Sequence, residues 1–149
     1  MGRRGEGWVV LQLLLFAVIV LAPRADCPAC PPWLRVVGLL LLALGAGLGT
    51  WGLWALGRNL TAFPRPVEGG ELVTHGPYRL VRHPVYTGLI LAAVGWALVR
   101  TSLIGLALAA VLFAFFDRKS RREEAWLGEA YPGYAAYRRQ VRKLVPWVY

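Results

Sequence analysis

The chain has few of the side chains that bind metals or carry acid–base chemistry. Its 149 residues include 8 acidic residues, two histidines and two cysteines, against 17 lysines and arginines. With the histidines and the cysteines in different segments, this set of ligands predicts no metal site. Cys27 and Cys30 have the spacing of a redox motif, but the βαβ context of a thioredoxin-like enzyme is absent. A local disulfide and two free thiols both remain open for this pair.

Long polar stretches are also scarce. Hydrophobic residues make up 57% of the chain and the mean hydropathy is +0.49, which is typical of a small integral membrane protein rather than a soluble domain. The net charge of +9 is compatible with nucleic-acid binding, but the basic residues cluster beside apolar runs, as in the cytoplasmic loops of membrane proteins. We therefore expect membrane lipids, and no nucleic acid, among the partners.

The apolar runs predict an all-α integral membrane protein with a single domain over residues 1–149. Four transmembrane helices are expected, with a cytoplasmic connector before the third and an amphipathic cytoplasmic helix at the C-terminus. The predicted spans are residues 8–22, 33–56, 84–99 and 103–116, the connector is residues 58–83, and the C-terminal helix is residues 117–144. This helix has a first part, residues 117–130, that is either separate from the fourth span or continuous with it, a break at residues 131–133, and a second part, residues 134–144. The first run is similar to a signal peptide, but its cleavage site is poor and further spans follow, so it is interpreted as a retained span.

The basic residues also predict the orientation. The N-terminus, the connector and the C-terminal tail carry the lysine and arginine clusters, so both termini are expected in the cytoplasm. The loop with Cys27 and the turn at Arg100 then lie outside. A bacterial inner membrane is the expected location.

Polar groups and an aromatic ring gather where the connector meets the third apolar run, in residues 76–88. Pro84 fixes its own φ and disfavours the α region for His83, so a helix is predicted to begin at Pro84. Arg82 and His83 then lie at the helix N-terminus, where free N–H groups and the dipole favour an anion such as a carboxylate or phosphate. Tyr86 lies one turn inside, on roughly the same side.

Glycines in the second and third runs permit close approaches. Gly88 leaves room for a ligand or for another helix. Gly45 and Gly49 form a small-xxx-small pair, which suits packing within the chain as well as a dimer face.

The only adjacent acids, Glu123 and Glu124, follow a basic run. They are either a solvated helix face with weak local ion pairs or carboxylates that bind a cationic or hydroxyl-bearing ligand near the membrane surface. Of the two histidines, His83 is the stronger functional candidate because of its place at the helix N-terminus, whereas His75 has no such context.

Two segments together resemble a known family signature. Residues 69–88, with the core Arg-His-Pro-x-Tyr-x-Gly, and the later Glu-Glu pair with Tyr134, Tyr137, Val141 and Pro146 resemble the isoprenylcysteine carboxyl methyltransferase family. Phospholipid methyltransferases share a looser form of the signature. The resemblance implies a membrane enzyme that uses S-adenosylmethionine, has no Rossmann domain, and builds its cofactor pocket from the connector, the start of the third span and the C-terminal helix.

The resemblance also implies roles for individual residues. Arg82 and Glu124 are the expected catalytic residues, with Arg82 near the polar end of the substrate and Glu124 as the nearest general base if the methyl acceptor needs one. The expected cofactor-binding residues are Gly76, Pro77, Tyr78, His83, Tyr86 and Glu123.

The implied activity is methyl transfer from S-adenosylmethionine to a lipophilic small molecule or a lipidated substrate. A carboxylate is one candidate for the group that receives the methyl. The alternative enzyme is an NADPH-dependent membrane sterol or steroid reductase, which carries a similar Arg-His-Pro-x-Tyr run but is usually much longer. A small membrane scaffold with a degenerate site is the alternative without catalysis. Binding of S-adenosylmethionine or of NADPH discriminates between the two enzymes.

Overall fold

The computed structural model describes residues 6–23, 30–61 and 69–149, and within these ranges the regular structure is helical, without a strand. The helices are α1 (Glu6–Leu21), α2 (Trp33–Leu56), α3 (Pro84–Val99), α4 (Leu103–Ala130) and α5 (Tyr134–Gln140). Two short 3-10 turns, Gly57–Asn59 and Gly76–Arg79, lie in the connector. The predicted all-α class is therefore confirmed for the described part of the chain.

Helix α3 begins at Pro84 and ends at Val99, as predicted, and the structure decides how the segment after the turn at residues 100–102 continues. Helix α4 runs without a break from Leu103 to Ala130, so the segment after residue 116 continues the helix of the fourth predicted span and ends at the expected break. Lysine, arginine and glutamate are good helix formers, so the change from apolar to charged residues does not interrupt the helix.

The second part of the predicted C-terminal helix is also shorter than expected. Helix α5 ends at Gln140, and Val141 is extended, with φ −117° and ψ 136°. The tail then pairs with the segment before α3, where the N–H of Arg82 donates to the Arg142 carbonyl at 2.8 Å and that of His83 to the Lys143 carbonyl at 3.2 Å. These bonds give partners to two carbonyl groups that a helix ending at residue 144 would leave unpaired.

Among the described residues, one helical segment, Trp33–Asn59, is long and apolar enough to cross a membrane by length and composition. Helices α1 and α3 are apolar but have only 16 residues each, or about 24 Å at 1.5 Å per residue. The arrangement of four spans thus stays a prediction.

Glycines bring α2 and α3 into backbone contact. A Cβ atom added at Gly88 would lie 2.5 Å from the Gly45 carbonyl oxygen and 2.6 Å from the Gly49 nitrogen, and one at Gly95 would lie 2.5 Å from the Gly38 carbonyl oxygen. The room at Gly88 is therefore filled by a helix of the same chain. The rest of the core, around Ile19, Ala93, Leu112 and Phe116, joins α3 to α4 and α1.

Two polar contacts connect α1 to the hairpin of α3 and α4. The Nζ of Lys119 donates to Oε1 of Gln12 at 2.6 Å, and Nη2 of Arg100 donates to the Ala22 carbonyl at 3.0 Å. In the loop after α1, Cys30 is disulfide-bonded. Cys27 lies outside the described residues.

Candidate active site

A cavity of about 140 Å³ opens where the connector, the start of α3, the polar half of α4 and α5 meet. Its polar lining comes from the arginine, histidine, tyrosine and glutamate side chains of these elements, and its apolar lining comes mainly from α2, the connector and α4. The residues around it are Leu53, Leu56, Asn59, Leu60, Thr61, Glu71, Leu72, Val73, Tyr78, Arg82, His83, Val85, Tyr86, Glu123, Leu127, Tyr131, Tyr134 and Tyr137.

One carboxylate holds together the two residues that precede α3. Oε1 of Glu124 accepts from Nε of Arg82 at 2.9 Å and lies 3.1 Å from Nε2 of His83. Only 9% of the Arg82 side chain and 5% of each of the other two are exposed. The guanidinium of Arg82 also donates to the carbonyls of Arg138 and Val141. The anion that the Arg82 and His83 side chains contact is therefore a carboxylate of the chain itself.

These contacts make Glu124 a very weak base. Burial by itself raises the pKa of the Glu124 carboxyl, but the hydrogen bonds from His83 and Arg82 and their positive charge outweigh it and hold the pKa at about 2. At neutral pH the carboxylate is ionised and already engaged. This environment suits a group that orients its neighbours better than one that removes a proton.

The adjacent acid has different surroundings. Glu123 lines the cavity, a quarter of its side chain is exposed (25%), and its Oε2 accepts from the Tyr86 hydroxyl at 2.9 Å. Nδ1 of His83 lies 3.7 Å from the same oxygen. Successive helix residues point about 100° apart, so Glu124 faces Arg82 while Glu123 faces the cavity.

Aromatic stacking and a buried ammonium fix Tyr86. Its ring is nearly parallel to those of His83 and Phe116, with centroids 5.4 Å and 4.4 Å away. Nζ of Lys119 lies 5.3 Å from the Tyr86 ring centroid, and Lys119 is only 2% exposed. Because both stacked partners come from packed segments, the Tyr86 hydroxyl is held in one direction, toward Glu123.

The C-terminal tail is hydrogen-bonded to the helices that carry the site residues. Oγ1 of Thr87 donates to the Leu144 carbonyl at 2.7 Å, and the buried Nζ of Lys143 donates to Oδ1 of Asp117 at 2.6 Å. The Asp117 carboxylate also accepts from the Tyr149 hydroxyl at 2.7 Å. These bonds tie the tail to α3 and α4 and so fix the carbonyls that Arg82 uses.

The structure brings most of the predicted site residues together. Tyr78, Arg82, His83, Tyr86 and Glu123 line the cavity. Gly76, Pro77 and Glu124 are not part of its lining: Gly76 packs beside Trp51 of α2, Pro77 is buried, and Glu124 lies behind Arg82 and His83.

Several lining residues were not predicted as site residues. Tyr131 directly follows α4, and Tyr134 and Tyr137 lie on α5. The spacing of three residues places Tyr134 and Tyr137 near one face of α5, and this signal was present in the sequence. The N–H of Glu71 donates to Oδ1 of Asn59 at 3.0 Å, which brings the start of the connector close to its middle, and no local pattern predicts such a contact.

Within the described ranges, no three His, Cys, Asp or Glu side chains are arranged to hold a metal ion. The site is instead a polar cluster beside apolar walls.

Known proteins share this sequence pattern. The family model for phospholipid methyltransferase matches residues 33–133. The cobalt-zinc-cadmium resistance protein CzcN of Cupriavidus metallidurans is 30% identical over 97% of this chain and 63% of its own length. Protein-S-isoprenylcysteine O-methyltransferase B of Arabidopsis thaliana is 32% identical over 78% of this chain and 61% of its own. The human protein-S-isoprenylcysteine O-methyltransferase is 28% identical over 78% of this chain and 42% of its own.

The chain thus spans about three fifths of the length of the first two relatives, at 63% and 61%. The matched region contains α2, α3 and α4 and therefore Arg82, His83, Tyr86 and the acidic pair. The resemblance to isoprenylcysteine methyltransferases is confirmed by these relatives, and the chain belongs to the phospholipid methyltransferase family.

Proposed function

We propose that this chain is an S-adenosylmethionine-dependent methyltransferase whose methyl acceptor is a lipophilic or lipid-linked molecule in a membrane. Family membership supports the reaction class. The names of the plant and human relatives, protein-S-isoprenylcysteine O-methyltransferases, support an acceptor that carries a lipid.

The observation that carries the proposal is the two-sided lining of the cavity. Arg82, His83 and Glu123 supply charge and hydrogen bonds, and they face apolar side chains such as Leu53 and Val85. A polar methyl donor and a lipophilic methyl acceptor need a binding site with both kinds of lining, because each has to keep its preferred environment until the two react.

The lining residues fit the proposed cofactor by their chemistry. S-adenosylmethionine, when bound, supplies a methyl group that is already activated by a positively charged sulfur. The Glu123 carboxylate provides a negative charge at the cavity, and Tyr78, His83 and Tyr86 provide ring and hydrogen-bonding surfaces. In this proposal Gly76 and Pro77 shape the wall behind Tyr78 rather than contact the cofactor.

The chain itself then contributes positioning and exclusion of water more than proton chemistry. Arg82 orients the polar end of the acceptor, and Glu124 is a positioning residue that holds Arg82 and His83. A carboxylate acceptor needs no general base. For an amine or a hydroxyl, Glu123 is the carboxylate that faces the cavity, whereas Glu124 is too weak a base.

The membrane arrangement is part of the proposal. Large apolar side chains are exposed on α1, α2 and the first part of α4, which suits contact with lipid; they include Leu13, Leu14, Val18, Leu39, Leu40, Leu44, Leu103, Ile104 and Val111. Together with the positive-inside pattern, these surfaces support four spans with both termini in the cytoplasm of a bacterial inner membrane. Labelling of single cysteines placed at residue 69 and at residue 101 tests the orientation, since only the latter site is expected to react from outside.

The activity is tested by calorimetric titration of the purified full chain with S-adenosylmethionine and, separately, with NADPH. We expect binding of S-adenosylmethionine and its loss in His83→Ala and Tyr86→Ala, with circular dichroism showing that both variants remain folded. Binding of NADPH in its place, or unchanged binding in both variants, contradicts the proposal.

The acceptor is sought by mass spectrometry of native lipid extracts incubated with the protein and a methyl donor with an isotopically labelled methyl group. We expect a labelled lipid that is absent when the Arg82→Ala variant replaces the wild-type chain. A protein that binds the donor but labels nothing in extracts from several sources argues against a lipid acceptor.

A further inference from the structure

Tyr134 carries a buried hydroxyl whose hydrogen bond the described part of the chain does not supply. The residue begins α5, lines the cavity and is only 2% exposed. Its hydroxyl oxygen is inaccessible and has no hydrogen-bond partner among the described residues. Buried hydroxyls are nearly always paired, because the loss of water without a replacement bond costs free energy.

Neighbouring tyrosines of the cavity are paired. The hydroxyl of Tyr137, one turn along α5, donates to the Tyr78 carbonyl at 2.6 Å. The hydroxyl of Tyr78 donates to the Gly52 carbonyl at 3.5 Å, and that of Tyr86 donates to Glu123 at 2.9 Å. Tyr134 therefore differs from Tyr137 in one respect that matters for function, since the Tyr134 hydroxyl donates no hydrogen bond to the described residues.

The charged groups near Tyr134 do not satisfy it. Glu124 already accepts from Arg82 and lies against His83. Burial, and then the negative charge of Glu124, raise the pKa of the Tyr134 hydroxyl, while Arg82 and Arg138 oppose this shift. The hydroxyl stays protonated at physiological pH, so it is available as a donor.

We propose that Tyr134 is a ligand-binding residue of the cavity, and that its hydroxyl donates a hydrogen bond to an acceptor oxygen or nitrogen of the bound ligand. The inference rests on the proposed methyltransferase function. Atoms that accept hydrogen bonds occur both in S-adenosylmethionine and in the polar head of the molecule that is methylated. The experiment below distinguishes these two ligands.

The test compares Tyr134→Phe with Tyr137→Phe in the full-length chain. Each variant removes one buried hydroxyl from α5, but only Tyr137 loses a bond to the protein. Without ligand, we expect the unfolding midpoint of Tyr134→Phe to equal or exceed that of the wild type, and that of Tyr137→Phe to fall.

Ligand binding gives the second readout. If the hydroxyl contacts the methyl donor, Tyr134→Phe weakens binding of S-adenosylmethionine about five- to tenfold, the effect of one neutral hydrogen bond. If it contacts the methyl acceptor, donor binding is unchanged and the KM for the acceptor rises by a similar factor, with kcat nearly unchanged.

Two results overturn the inference. One is a Tyr134→Phe variant with wild-type donor binding and wild-type KM. The other is a loss of stability in the unliganded Tyr134→Phe protein, which means that the hydroxyl has a structural partner. Failure of the proposed function looks different, because then the wild-type chain itself does not bind S-adenosylmethionine.

Discussion

Replacement of Glu124 by glutamine tests how the site is held together. The variant keeps the shape of the side chain and removes its charge. Arg82 and His83 then face a neutral amide in a place where only 9% and 5% of their side chains are exposed. Removal of one partner from a buried ion pair costs about 3 to 5 kcal/mol in proteins, since the remaining charge stays buried.

We expect a loss near the lower end of this range, about 3 kcal/mol, because the Arg82 guanidinium keeps the carbonyls of Arg138 and Val141 as acceptors. For a chain of this size, such a loss lowers the unfolding midpoint by about 6 to 12 °C. The measurement is thermal unfolding of the unliganded protein in detergent micelles, followed by circular dichroism.

Glu123→Gln is the matched control, since it makes the same change one residue earlier on the same helix. Glu123 is 25% exposed and accepts one hydrogen bond, from Tyr86. We expect a loss of about 1 kcal/mol in the free energy of unfolding, together with a clear loss of affinity for S-adenosylmethionine. Equal stabilities of the two variants, or the reverse order, would refute the assignment of Glu124 to positioning and Glu123 to the cavity.

Further predictions concern acid stability, helix packing and the contact of α1. The pKa of Glu124 lies below its unfolded value of 4.5, so the contribution of this carboxylate to the free energy of unfolding is complete above about pH 4.5 and is lost as the pH falls toward 2. Between these pH values Glu124→Gln should therefore lose stability less steeply than the wild type. Gly88→Ala puts a Cβ 2.5 Å from a backbone oxygen of α2 and should lower the unfolding midpoint strongly, whereas Gly47→Ala, with nothing within 4 Å, should not lower it; equal effects contradict the packing of α3 on α2. Gln12→Leu leaves the ammonium of Lys119 without its acceptor and should cost about 1 to 3 kcal/mol, most of which the double variant with Lys119→Met should restore; a double variant as unstable as the single one contradicts this account.

Local chemistry explains why part of the site could be predicted. Pro84 restricts its own φ and the conformation of His83, so the start of α3 and the place of Arg82 and His83 follow from neighbouring residues. Whether the fourth apolar run and the charged segment after it form one helix stayed open in the sequence for the converse reason. The sequence contains a change in polarity at Asp117, but no residue there that breaks a helix.

The sequence by itself determined the helical class, the family and the residues that could form a polar site, because periodicity, proline and short motifs act over a few positions. Only the tertiary structure decided which of two adjacent carboxylates faces the cavity. That choice depends on how α4 is rotated about its axis relative to α3. The rotation is fixed by packing between residues more than forty positions apart, such as Arg82 and Glu124, and not by the residues next to either one in sequence. The same holds for Tyr134 and Tyr137, which are alike in sequence context and differ only in what their hydroxyls meet.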